Sequence, residues 1–252
     1  MIEATGLTGA EFAVLLASFL AGGLVKGALG FGLPLVVVST APIFVSVDIV
    51  LIANATVMPF SNTLQIVQSG RVAASISRFR LLYIALILTL PFGVALGSVI
   101  STGMLTVVLG VVVMAFTALQ ALSPRLQIRP DLERPFGAAT GALAGIIGGL
   151  TTVNGPIMTL FAVGLGVERR MMVSMQGLAY LITGLILAVG YAGIGLIDGS
   201  RLATGLICIA PAFLGMWVGN RLAQRLPQAV FRQVVLAVLF VAGANLALGP
   251  GA

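Results

Sequence analysis

The polar chemistry of this chain is confined to a few residues set in apolar surroundings. Lys26 lies in Gly22-Gly23-Leu24-Val25-Lys26-Gly27-Ala28-Leu29-Gly30-Phe31-Gly32-Leu33-Pro34, and it is the only basic residue inside an apolar block and away from its ends. A lysine so placed needs water, a carboxylate or an anion, and its own block supplies no carboxylate. A helix restarting near Pro34, after Gly30 and Gly32, would add unpaired N–H groups and partial positive charge. Together these make a candidate anion site. A second interruption, Gly148-Gly149-Leu150-Thr151-Thr152-Val153-Asn154-Gly155-Pro156, carries no charge. Its Thr151, Thr152 and Asn154 are suitable hydrogen-bond donors for an oxyanion. The apolar block after each interruption adds further candidates. Asn54, Asn62 and Gln65 follow the first, and Gln176 follows the second. Asn54, Ser61 and Gln65 fall near one helix face at spacings of seven and four; Ser174 and Thr183 accompany Gln176.

Each signal has a structural alternative. Glycines every four residues, as in Gly137, Gly141, Gly145 and Gly149, let helices pack closely. Buried amides and hydroxyls hydrogen-bond between helices for about 0.6 kcal/mol each, and Lys26 could snorkel to an interface. Other chemistry is poorly supported. There is no histidine and one cysteine, Cys208, so a histidine-based metal site, a histidine triad and an intrachain disulfide are excluded. The carboxylates fall at block ends or in loops, where they form no facing pair. No cofactor and no enzymatic activity is expected.

The elements that must position these residues follow from composition. Of 252 residues, 59% are hydrophobic and 8% charged, against about 25% charged in a soluble domain. Mean hydropathy is +1.16. Continuous apolar runs of about 20 residues recur, as expected of membrane-spanning helices and not of a β-barrel. The blocks cover residues 12–45, 49–67, 81–100, 105–122, 136–167, 171–191, 202–219 and 230–248. The basic balance of +6 is placed in short loops, which points to a lipid bilayer rather than nucleic acid. Neither a cleavable leader nor a soluble domain is expected.

The order of blocks repeats at an offset of 122 residues. Gly23 maps to Gly145, Gly27 to Gly149, Pro34 to Pro156, Gly93 to Gly215 and Gly97 to Gly219; Asn54 maps to Gln176 and Ser61 to Thr183. The expected organisation is a first repeat over 1–122, a cytoplasmic linker over 123–135 and a second repeat over 136–252. The opening block of each half is too long for one crossing at 1.5 Å per residue, so it must break. If each broken block turns and leaves on its starting side, with the N-terminus outside, the cytoplasm holds 11 arginines and the outside holds Arg201 alone. One crossing per broken block gives 7 against 5. The first arrangement obeys the positive-inside rule. It makes the repeats inverted and puts both termini outside. The expected fold class is therefore an all-α polytopic membrane protein of two inverted repeats, each opening with a broken or re-entrant helix hairpin.

Two halves that each open with a Gly-rich break followed by proline, together with Gly93-x-x-x-Gly97 and Gly215-x-x-x-Gly219, resemble the TauE/SafE family. The resemblance covers nearly the whole chain. It implies a bacterial inner-membrane permease exporting small sulfur-containing anions such as sulfite or organosulfonates, with Lys26, Gly30, Gly32, Asn154 and Pro156 placed in the breaks. An anion channel and a non-transporting membrane partner of a larger complex are the alternatives. The particular anion, the coupling ion and the oligomeric state stay open.

Overall fold

The computed structural model describes residues 7–122, 127–222 and 228–248. Among these, eleven α-helices and two 3-10 turns form the fold, with no strand. Helix α1 (Gly9–Leu29) starts at a reciprocal cap. Thr8 Oγ1 accepts the Glu11 N–H at 3.3 Å, and Glu11 Oε2 accepts the Thr8 N–H at 2.8 Å, so two otherwise unpaired donors at the helix start are satisfied. The helix passes straight through Gly27 and stops at Gly30, whose φ of +87° ends it in the left-handed region that glycine adopts without strain. Gly32 repeats this at φ +105° before α2 (Leu33–Thr40) begins.

Helix α2 folds back along α1. Thr40 Oγ1 donates to Ser18 Oγ at 3.0 Å, and Gly22 faces Leu33 and Val37. The opening block is thus a re-entrant hairpin. The same construction recurs in α7 (Glu133–Thr151) and α8 (Gly155–Gly164), where Gly148 faces Asn154 and Gly137 faces Phe161.

Among the described residues, six helices are long and apolar enough to cross a membrane: α1, α3 (Val47–Ser69), α5 (Arg80–Val99), α6 (Thr102–Leu122), α9 (Arg169–Gly193) and α10 (Gly199–Leu222). Helix α11 (Gln228–Leu248) follows, with a shorter apolar stretch over Val235–Leu248. Bulky apolar residues such as Leu88, Phe92, Val99, Val189 and Val241 point outward, as a lipid-facing surface requires. A short helix, α4 (Val72–Arg78), lies between α3 and α5; no apolar block announces it. Tyr83 and Ser75 share a 2.7 Å hydrogen bond that ties α4 to α5.

Packing crosses between the halves. Gly23 faces Ala212 and Gly27 faces Met216, so α1 runs parallel to α10. Gly141 faces Leu82 and Gly149 faces Leu90, so α7 runs parallel to α5. These contacts are backbone to backbone: a Cβ on Gly27 would lie 2.1 Å from the Met216 carbonyl oxygen, and one on Gly141 2.1 Å from that of Leu82. The glycine stripes are packing surfaces, the role their spacing suggests. At the centre, Gly177 faces Ile66 and Gly184 faces Met58, which makes α3 and α9 antiparallel. Gly110 packs on Ala247 and Gly243 on Val113, so α6 and α11 are antiparallel as well.

Apart from Arg201, the described arginines of the charge count gather at one end. Arg71 pairs with Glu168 at 3.5 Å and Arg78 with Glu133 at 2.6 Å. Arg201 pairs with Asp198 at the start of α10, at the opposite end. Arg125, Arg225 and the Arg232 side chain lie outside the described residues. Of the 123–135 linker, residues 127–135 are described, and they carry a 3-10 turn (Pro130–Leu132) and the first turn of α7.

Candidate functional site

Helices α3 and α9 form a central antiparallel pair, and the two hairpin turns press on it from opposite ends. The first turn brings Lys26 against α3. Lys26 is 3% exposed; its Nζ donates to Asn62 Oδ1 at 2.6 Å and to Ser61 Oγ at 3.1 Å. Asn62 is fixed in this orientation because its Nδ2 donates to the Met58 carbonyl at 2.7 Å. Ion pairs among the described residues leave Lys26 out. Its charge is therefore met by two neutral groups and by the face of the Tyr180 ring, 6.0 Å away. Such a buried cation keeps most of its attraction for an anion, because little water screens it.

Gly30 and Gly32 shape this turn, and the Gly30 carbonyl accepts from Gln65 Nε2. A cavity of about 640 Å³ opens from the arginine-rich end and reaches Lys26; Gln65, Arg169, Arg170 and Asn220 contribute polar groups to its wall.

The second turn brings Thr152 and Asn154 against the same pair from the other end. Thr152 sits at φ +63°, a left-handed conformation that a β-branched residue adopts only under strain of about 1–3 kcal/mol. It occupies the position 122 residues after Gly30. Its Oγ1 accepts from Asn54 Nδ2 at 2.7 Å. Asn154 Nδ2 donates to Thr183 Oγ1 at 2.7 Å, and Gln176 Nε2 donates to Thr159 Oγ1 at 2.6 Å. Thr151 is spent on its own turn: its hydroxyl donates to Ile147 O at 2.7 Å and accepts the Val153 N–H at 3.2 Å.

Four of the buried side-chain amides have an unpaired oxygen among the described residues: Asn54, Gln65, Asn154 and Gln176. An unsatisfied buried polar atom costs about 1–3 kcal/mol. For Asn54 and Asn154 the amide can rotate by 180°. The threonine hydroxyl then donates to the carbonyl oxygen and the NH₂ faces the unpaired side. Both residues can therefore present donors to an oxyanion without breaking their threonine contact.

The structure thus gathers nine of the ten sequence-selected residues into two groups along α3 and α9. Lys26, Asn62, Gln65, Gly30 and Gly32 belong to the first turn; Asn54, Thr151, Thr152 and Asn154 belong to the second. Gln176 lies next to Gly177, which faces the Asn62 level of α3. Among the described residues, the large cavity is lined by Lys26, Gly30 and Gln65 and by none of the second group. Tyr180 reaches both: its ring faces Lys26 and its hydroxyl accepts the Gly155 N–H at 2.9 Å. Sequence reasoning missed Tyr180, although it follows Gln176 by one helical turn on the same face. A tyrosine in an apolar run reads as core until its neighbours are known.

Re-entrant hairpins, buried unpaired polar groups and a lipid-facing apolar exterior define a multi-pass membrane protein with polar side chains buried at its centre. The profile of the sulfite exporter TauE/SafE family matches residues 14–246, and the chain belongs to that family. Its members are transporters of sulfite and organosulfonates, not enzymes. No match is found among curated proteins or among solved structures.

Proposed function

We propose that the chain exports a small sulfur oxyanion or sulfonate across a bacterial inner membrane, binding it first at Lys26. The observation that carries this reading is a buried lysine without a carboxylate partner among the described residues, at the end of a cavity that opens among arginines. The anion supplies the missing counter-charge. Asn62 and Ser61 hold the ammonium in place, and the α2 start adds partial positive charge. Asn54, Thr152, Asn154 and Gln176 accept the anion farther along the path; Thr151, Gly30 and Gly32 shape the turns. The arginine-rich end is cytoplasmic, by the positive-inside rule, so both termini are periplasmic.

The repeats over 1–122 and 136–252 are inverted in this reading. Support comes from the helices 122 residues apart: α3 packs antiparallel to α9, and α6 to α11, as a two-fold axis in the membrane plane demands. Export is downhill electrically. With the interior negative, each negative charge leaving gains about 2.3 kcal/mol per 100 mV, so no coupling ion is required.

The test is flux in proteoliposomes. Sulfite, sulfate, thiosulfate, sulfoacetate and taurine are loaded separately, and efflux is followed under an imposed potential. Saturable efflux of sulfite or a sulfonate, with counterflow, supports the proposal. Non-saturable flux without counterflow identifies an anion channel instead, and absence of flux for all five compounds refutes the transport reading.

A further inference from the structure

A second cavity, of about 30 Å³, lies at the opposite end of the α3–α9 pair. Six of its twelve lining residues stand 122 positions from a residue lining the large cavity. Ser69, Arg170, Val173 and Met216 line the large cavity, and Tyr191, Asp48, Leu51 and Val94 line the small one. Gly27 and Asn220 correspond in the same way to Gly149 and Ser98. The two occupy related places in the two halves, wide at the arginine-rich end and narrow at the other.

Their charges differ in sign. The large cavity holds Lys26, Arg169 and Arg170. The small one holds Asp48 as its sole charged lining residue, and Gly148 stands at the position equivalent to Lys26. Helix-end physics accounts for only one side of this contrast. An acid in the first turn of α3 suits the positive helix start, whereas Arg169 and Arg170 oppose it in the first turn of α9. The arginines are therefore placed against local helix stability, where they face the open cavity.

Resting on the transport reading above, we infer that the small cavity is the release vestibule, opened when the large one closes, and that Asp48 biases transport outward by disfavouring return of the anion. Alternating access by rearrangement of two related repeats needs such a pair of vestibules. A carboxylate at the mouth of the release vestibule lowers the local anion concentration, as the arginines raise it on the loading side.

The experiment uses the full chain with Cys208→Ala, reconstituted in vesicles of both orientations. An impermeant thiol reagent is applied with no anion present, so that irreversible labelling collects the open state at either end. Val173→Cys should label from the arginine-rich side only, and Leu51→Cys, which is buried here, should label slowly from the far side only. Failure of Leu51→Cys to label from the far side, with Val173→Cys labelling normally, overturns the vestibule. This readout is independent of substrate identity, so it is separable from a failure of the transport proposal. In sulfite flux, Asp48→Asn and Asp48→Lys should lower the far-side KM by about threefold and tenfold or more, respectively, while the near-side KM stays within twofold. An unchanged far-side KM in both variants overturns the role of Asp48.

Discussion

Lys26→Met tests the site at its electrostatic centre. Methionine preserves length and apolar volume while removing the charge and both hydrogen bonds, to Asn62 at 2.6 Å and Ser61 at 3.1 Å. A unit charge pair 4 Å apart is worth about 4 kcal/mol at an effective dielectric of 20. Part of that attraction is offset by desolvating both ions, and a charge-assisted hydrogen bond nets about 1.5–3 kcal/mol. The expected loss is about 2–3 kcal/mol, or roughly 30- to 150-fold in Kd. Stability should move the other way. In the absence of anion the buried ammonium has only neutral partners, so its replacement removes an uncompensated charge, at the smaller expense of leaving Asn62 Oδ1 and Ser61 Oγ without their donor. The assay pairs sulfite binding by calorimetry with the thermal midpoint of detergent-purified protein. Lys26→Arg should keep part of the affinity, because charge survives but the longer planar fork does not fit the Ser61–Asn62 contact. Binding within threefold of wild type in the Met variant would refute the site. A midpoint lowered by several degrees with binding retained would identify Lys26 as structural.

Other expectations follow from the same geometry. Thr152→Gly removes the strain of a β-branched residue at φ +63° together with the Oγ1 that accepts from Asn54; thermal stability should hold or rise while sulfite flux falls at least fivefold, and a parallel drop in both would show that Thr152 serves the fold. Asn154→Leu, which cuts the 2.7 Å bond to Thr183, should leave a membrane-inserted protein with flux reduced about tenfold, measured in proteoliposomes against insertion by gel filtration. Gly141→Val should abolish recovery of monodisperse protein, because the added Cβ would lie 2.1 Å from the Leu82 carbonyl oxygen. On a Cys208→Ala background in intact cells, a cysteine at Gly199 should react with an impermeant thiol reagent and one at Gln127 should not; the reverse pattern would invert the proposed orientation.

Physical reasons separate what was legible in the chain from what was not. An apolar block longer than one crossing announces its own break, and left-handed residues at Gly30 and Gly32 supply the turn. Gly27 carries the same letter but stays helical, because its task is to admit the Met216 backbone. Composition cannot distinguish these uses, since both demand a missing Cβ. Glycine stripes announce close packing without naming the partner, so the crossing of α1 to α10 and of α7 to α5 had to come from the fold. At the site, Lys26 and the amides stood out because polar groups are costly in lipid. Their distribution into two groups with Tyr180 between them depends on the antiparallel register of α3 and α9, which no local pattern encodes. Thr151 shows the converse limit. Its type suits an oxyanion, yet its hydroxyl is consumed by Ile147 and Val153.

The partners of Lys26 also bear on release, since an exporter must let go of what it binds. A lysine paired with a buried carboxylate would hold no net charge for a substrate. The groups in contact with the Lys26 ammonium are a hydroxyl, an amide oxygen and a ring face, so it keeps its charge for the anion, with Arg169 and Arg170 on the same cavity wall. Beyond it, the unpaired amide oxygens of Asn54, Asn154 and Gln176 mark groups that are neutral and can reorient. An anion moving from Lys26 toward the second turn trades one strong contact for several weak ones of about 1 kcal/mol each. The membrane potential, about 2.3 kcal/mol per charge per 100 mV, is of the size needed to offset that loss. Tyr180, touching both groups, is placed where this exchange has to occur.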